Sequence, residues 1–176
     1  MGAEGLSRLR LRIPESELRA WADRFTDSSE DRIEATLAPR VRTRGFLLRD
    51  EFLALCRWKT PRSQPRCASN DEDYVREVTR VALATRNEEL KIRALLLLAG
   101  VSWPTASVIL HFCDRRPYPI LDMRALWSVG YARPPAYTFA IWWDYTRFVR
   151  GIRSRTGLSM RAIDRALWQY SKERQK

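Results

Sequence analysis

An all-α fold, a compact multi-helix bundle, is what this sequence predicts, on three observations. Apolar residues recur at helical spacing along most of the chain, helix-opening residues such as Pro14, Asn87, Asp122 and Ser159 stand at the starts of those runs, and no long alternating stretch signals a sheet. With 176 residues, 45% of them hydrophobic, the chain can bury one sizeable core, since a domain of about 150 residues buries roughly 68–70% of its unfolded surface. A single domain over 1–176 is therefore expected, with length enough for two lobes and a groove between them. Seven tryptophans argue against disorder.

The elements follow in order. Residues 6–13, LSRLRLRI, alternate apolar residues with Arg and predict one short extended segment. Pro14 opens a helix to about Phe25, with Glu15 and Glu17 in its first turn. Asp27 to Glu30 is a polar break, and a short helix follows, ending near Pro39. Residues 47–58 form an amphipathic helix with Leu47, Leu48, Phe52, Leu55 and Cys56 on its apolar face. Residues 59–70 read as a loop, and Ser69 with Glu72 offers a capping box for a helix to about Thr85, whose inner side carries Val75, Val78, Val81 and Ala82. Asn87 caps the next helix, and its Leu95–Leu98 run, apolar all round, predicts a buried central position. Gly100 ends that helix as a left-handed residue would, and Pro104 opens another, with Thr105, Val108, Ile109 and Phe112 in one stripe. Asp122 caps a helix from Met123, and two more are expected over about 137–155 and 160–172.

Charge narrows the function. Lys and Arg number 32 against 21 acids, a net charge of +11, and 28 of the 32 are Arg. Such a surplus favours a polyanion partner, of which nucleic acid is the commonest; the plainer source of an Arg-rich composition is genome base content. Cys56, Cys67 and Cys113 are an odd number without disulfide-framework or zinc spacing, and His111 is the sole histidine, so His-based metal sites and triads are excluded. No apolar run reaches the roughly 18 residues a membrane span needs, and the N-terminus lacks a signal pattern. A reducing, cytoplasmic setting, associated with the nucleoid in a bacterium, is the expectation, with no membrane partner and a monomeric state.

The most informative segment runs from Leu95 to Gly130. Two helices meeting across a tight turn, Gly100-Val101-Ser102-Trp103, present backbone N–H groups and a helix dipole to a phosphate. Pro104 has no N–H, so the donors are neighbours such as Val101, Ser102, Thr105 and Ala106. Leu98 through Ala106 then resembles the hairpin of the helix–hairpin–helix DNA glycosylase superfamily, which reads Leu-Pro-Gly-Val-Gly, two variable residues, Thr-Ala. An extended apolar stretch ending in aspartate follows in that family; here it is Pro119-Ile120-Leu121-Asp122. The close match covers roughly residues 95–128, with the hairpin spanning 88–113.

The resemblance implies a DNA glycosylase-like fold that grips duplex DNA through the hairpin, a monovalent cation often sitting on the hairpin carbonyls. It implies that one nucleotide is flipped out of the stack and its N-glycosidic bond cut, with Asp122 as the carboxylate that stabilises the sugar cation or activates water. Bifunctional members carry a lysine just before Thr-Ala; Pro104 stands there, so lyase chemistry through that position is excluded and a monofunctional enzyme is implied. Ser102 replaces the second hairpin glycine, which would be disfavoured if that position needed a positive φ. The Cys-rich tail of iron–sulfur members is absent, so no cluster is expected.

Other residues carry paired readings. Gly100, Val101, Ser102, Trp103 and Thr105 are the expected DNA-binding turn; Trp103 either stacks near the flipped nucleotide or packs between helices. Arg62, Arg115 and Arg116 are phosphate-contact candidates, or solvated loop charge. Trp58 and Lys59 line a base pocket, or cap a helix C-terminus as Arg57 also would; Lys59 as a displaced lyase amine is a remote variant. Trp142 and Tyr145 are the pocket-wall candidates among aromatics that otherwise read as core. His111 reads as a helix-face residue. The chain's shortness suggests a shallow pocket open to bulky modified bases, including those of foreign DNA. The rival expectation is a non-catalytic helix–hairpin–helix DNA-binding module, and a third is an RNA-directed or protein-binding bundle.

Overall fold

A computed structural model describes residues 9–26, 31–133 and 135–175. Among them every regular element is helical and no strand occurs. The chain divides into two compact units, one from 1–26 with 119–176 and the other from 27–118.

In the first unit, Pro14 leads through a 3-10 turn (Glu15–Glu17) into α1 (Leu18–Asp23), which buries Leu18, Trp21 and Ala22. α1 packs on the last helix, whose Ser159 Oγ accepts from Ala162 N at 3.1 Å. That helix is α10 (Met160–Arg174) in the numbering used below, and it also packs on α8 (Met123–Ser128). Met160, Ile163 and Leu167 form its buried stripe. α9 (Phe139–Thr156) starts where Thr138 Oγ1 accepts from Ile141 N and ends at Gly157, and it buries Trp142, Tyr145, Val149 and Ile152. Of the predicted extended segment, residues 9–13 are described: Arg10 N donates to Val129 O and Arg12 N to Ser128 O, tying it to the end of α8. Its residues 6–8 and the polar break at 27–30 lie outside the described residues.

In the second unit the helix expected to end near Pro39 continues. Pro39 lacks the N–H that would bond Ala35, and the chain passes it by widening to π-helical turns over Ile33–Leu37 before α2 (Ala38–Arg44). α3 (Arg49–Lys59) buries Phe52, Leu55 and Cys56, but Leu48 stands outside it and is exposed. The predicted loop 59–70 contains a 3-10 turn (Pro61–Ser63) and α4 (Gln64–Ala68). α5 (Glu72–Ala84) is capped by Asp71, whose Oδ1 accepts from Tyr74 N at 2.7 Å, and not by Ser69. Val75, Val78 and Ala82 face inward as expected, whereas Val81 is exposed.

α6 (Glu88–Leu95) starts on Asn87, and α7 (Trp103–Cys113) follows after seven residues, not four. The helix stops earlier than the Leu95–Leu98 run suggests because residues 96–98 bond three residues back instead of four. Leu95 and Leu98 are buried, but Leu97 is 64% exposed, so the run is not apolar-buried all round. α6 and the end of α7 are joined by a fully buried ion pair. Lys91 Nζ donates to Asp114 Oδ2 at 2.5 Å and to Ala82 O at 2.6 Å. Burial lowers the Lys91 pKa, opposed by the Asp114 hydrogen bond.

Candidate functional site

The turn between α6 and α7 is assembled by three contacts within its own unit. Gly100 has φ +80°, the left-handed conformation expected of it. A Cβ there would lie 2.7 Å from Cys67 Sγ and 2.8 Å from Cys67 N, so the glycine also allows α4 to approach. Asn70, itself buried, mimics a backbone strand: its Nδ2 donates to Ala99 O at 3.0 Å and its Oδ1 accepts from Ala99 N at 2.9 Å. Val101 N donates to Leu98 O, closing the turn.

Ser102 is the N-cap of α7, with Trp103 and Pro104 as its first two helical residues, one position earlier than expected for Pro104. Ser102 has φ −112°, an ordinary extended value, so serine in place of glycine is unstrained. Among the described residues the backbone N–H groups of Trp103 and Thr105 have no acceptor, the usual condition of a first helical turn. Gly100, Val101, Ser102, Trp103 and Thr105 thus lie together. The carbonyl of Leu98 accepts from Val101 N and that of Ala99 from Asn70 Nδ2.

The remaining candidates of this unit sit elsewhere. Arg115 and Arg116 follow α7 at its opposite end, about 16 Å of helix away from the turn at 1.5 Å per residue. Arg115 donates to Arg42 O at 3.1 Å, and Arg116 is held by Glu88 at 3.0 Å and by Thr85 O at 3.2 Å. With Arg42 and Arg86 they line a cleft of about 490 Å³. Arg62 is exposed in the 3-10 turn just before α4. Trp58 packs edge-on against Phe112, centroids 5.7 Å apart, and Lys59 is half-buried at the end of α3. His111 is buried, with Nδ1 2.7 Å from Tyr118 O.

In the other unit, Asp122 is the N-cap of α8. Its Oδ1 accepts from Arg124 N at 2.9 Å, and the residue is half-buried. The stretch before it is buried and clamped. Asp164 of α10 accepts from Ile120 N at 3.1 Å, and Tyr145 Oη donates to Ile120 O at 3.3 Å. Both polar groups of Ile120, two residues before the candidate carboxylate, are therefore held by side chains. Burial raises the Tyr145 pKa well above the usual tyrosine value, helped by the Asp164 and Asp122 charges. Burial raises Tyr137 too, again with the Asp122 charge contributing.

Trp142 and Tyr145 are fully buried, so neither presents a ring face to a ligand, and the core reading holds for both. A cleft of about 380 Å³ instead begins at the residue after Asp122, lined by Met123, Arg124, Trp127, Tyr131 and Arg133 among others. Asp164 was not foreseen from sequence, although a signal existed, since a carboxylate interrupts the Met160, Ile163, Leu167 stripe; Tyr137 belonged to the aromatics after Asp122 that read as core or pocket wall.

Among the described residues no group of three or more His, Cys, Asp or Glu could hold a metal ion, and no helix is long and apolar enough to cross a membrane. No protein-family model, curated protein or solved structure matches this chain.

Proposed function

We propose that this chain is a monofunctional DNA glycosylase that hydrolyses the N-glycosidic bond of a flipped damaged or modified base and leaves an abasic site. The observation that carries the reading is Asp122, a half-buried carboxylate on a backbone held rigid two residues upstream by Asp164 and Tyr145. Cleavage passes through a sugar with oxocarbenium character, and a fixed carboxylate stabilises that charge and orients or deprotonates the attacking water. Rigidity matters because preorganised charge needs no rearrangement at the moment of reaction.

The turn at Gly100 supports the reading as the DNA grip. Its first helical turn carries free N–H groups, which together with the helix dipole suit a phosphate oxygen. The +11 net charge supplies the sequence-independent part of duplex affinity. Proline at position 104 brings no amine to that place, so water, not a lysine amine there, is the nucleophile. The cleft that begins at Met123 is the place in this unit for an extruded base, with Tyr131 and Arg133 among its walls.

A second reading, a DNA-binding module without chemistry, draws on Asp122 being engaged in capping α8 and on the burial of Trp142 and Tyr145. A panel of duplexes carrying alkylated, oxidised, deaminated and bulky modified bases separates the two. Incubation followed by alkali yields strand breaks at the modified position for a glycosylase. Retained binding with no abasic site across the panel and in genomic DNA carrying modified bases establishes the module.

A further inference from the structure

We propose that the arginine-lined cleft at the far end of α7 from the Gly100 turn is a binding site for a phosphate group, carried by a free nucleotide or by a nucleic-acid strand. The cleft, about 490 Å³, lies wholly within the second unit. That volume falls in the usual range of small-molecule pockets, roughly 300–1,000 Å³. Four of its lining residues are arginines from three places in the chain. Arg42 comes from the last turn of α2, Arg86 from the connection between α5 and α6, and Arg115 and Arg116 from the exit of α7. Hydrogen bonds fasten these segments to one another. Arg115 donates through Nε and Nη2 to Arg42 O at 3.3 and 3.1 Å, and Arg116 Nη2 donates to Thr85 O, one residue before Arg86, at 3.2 Å. The exit of α7 is itself fixed, because Asp114 accepts from Arg116 N at 2.8 Å and from buried Lys91. The backbone that carries the four guanidinium groups is therefore held around the cleft before any ligand arrives, which lowers the cost of binding.

Charge selects the ligand. Asp114 is the acid among the lining residues, and Lys91 behind it answers its charge. Glu88 engages Arg116 from outside the lining. Arg42, Arg86 and Arg115 then have no acidic partner among the described residues, and the side chains of Arg42 and Arg86 make no hydrogen bond there either. Like charges gathered round one cleft repel, and an anion seated between them relieves that repulsion. A phosphate monoester, with a charge of about −1.5 to −2 and three strong acceptor oxygens, meets such a group of guanidinium donors better than a singly charged carboxylate does. Val41, Leu83 and Cys113 supply apolar lining for the organic part of the ligand. Among the described residues no aromatic side chain lines the cleft, so no base is selected by stacking on a ring and recognition rests on the phosphate.

The inference does not rest on the glycosylase reading. The test is calorimetric titration of the full chain with inorganic pyrophosphate, with a deoxynucleoside monophosphate and with a short DNA duplex. Each titration is repeated on Arg42→Gln combined with Arg86→Gln, which removes two exposed guanidinium groups and none of the hydrogen bonds that hold the cleft. The control, Arg19→Gln combined with Arg153→Gln, removes the same charge from exposed positions of the other unit. Pyrophosphate should bind wild type and control alike, and the cleft variant at least about 10-fold more weakly, the scale of one charge-assisted hydrogen bond. If the ligand is a free nucleotide, the monophosphate shows the same loss while the duplex binds cleft variant and control equally. If the phosphate is strand-borne, the duplex binds the cleft variant more weakly than the control. Amide hydrogen exchange on the wild-type chain gives a second measurement that needs no variant: pyrophosphate should slow exchange over 42–45, 84–87 and 113–116. No binding of pyrophosphate, equal losses in cleft variant and control, or protection that maps to the α6–α7 turn instead would overturn the proposal.

Discussion

Gly100→Ala tests the account of the α6–α7 turn with an internal control. Two costs are expected. The φ of +80° puts a side chain in the left-handed region, which costs about 1–2 kcal/mol for a residue with a Cβ. The new Cβ also meets Cys67 N at 2.8 Å, a backbone atom that no rotamer change can move, and overpacking of that kind costs about 1–3 kcal/mol. The sum is about 2–5 kcal/mol. Gly45 is the control: its φ is +84°, and a Cβ there would meet nothing within 4 Å. Gly45→Ala therefore carries only the conformational term of about 1–2 kcal/mol. Denaturant unfolding of both variants measures the difference, which belongs to the Gly100–Cys67 approach alone. Duplex binding gives a second readout, weakened by Gly100→Ala and unaffected by Gly45→Ala. Equal destabilisation by the two substitutions, with equal DNA affinity, would refute the close packing of α4 under the turn.

Lys91→Met leaves Asp114 buried without its ammonium partner and should destabilise the protein by about 3–5 kcal/mol, read as a fall in Tm; Lys91→Met with Asp114→Leu should recover most of that loss. Asp164→Ala orphans the Ile120 N–H and should slow single-turnover base release while leaving duplex affinity unchanged, and Asp164→Asn, which keeps an acceptor oxygen, should restore part of the rate. The raised pKa of Tyr145 means that its neutral form is favoured on folding. That contribution is full below the unfolded value of about 10 and is lost as pH rises through the higher folded value. Tyr145→Phe should accordingly flatten the alkaline fall of stability, measured by denaturant midpoints between pH 9 and 11 on the order of one unit either side of 10.

Helix identity was legible wherever the apolar stripe was regular, as in α3, α9 and α10. It failed where a tertiary partner redirected the backbone. The Leu95–Leu98 run looked like continuous buried helix, but Asn70, 29 residues earlier in the chain, takes both backbone groups of Ala99, and Leu97 turns to solvent. Val81 matched the inner spacing of α5, yet it is exposed. Pro39 looked like a helix stop because proline removes one hydrogen bond, and a π-helical turn accommodated it. At the site, Gly100 and Asp122 were legible because each occupies a position that few residue types fit, a left-handed turn and a helix cap. The hydrogen bonds that hold Arg115 and Arg116 were not, since sequence carries no record of Arg42 O or Glu88 as their partners. The clamp on Ile120 was invisible for the same reason: Asp164 comes from 44 residues away.

Asp122 is proposed to perform chemistry beyond capping α8. Single-turnover base release from a duplex substrate, measured with wild type and Asp122→Asn at matched DNA occupancy, tests it most directly. Asparagine keeps the side-chain oxygen that accepts from Arg124 N, so the helix cap survives and only the negative charge is lost. The expected result is a loss of at least about 100-fold in rate, the scale of removing one preorganised electrostatic group, with duplex affinity and Tm unchanged. Base release by Asp122→Asn at the wild-type rate would contradict it.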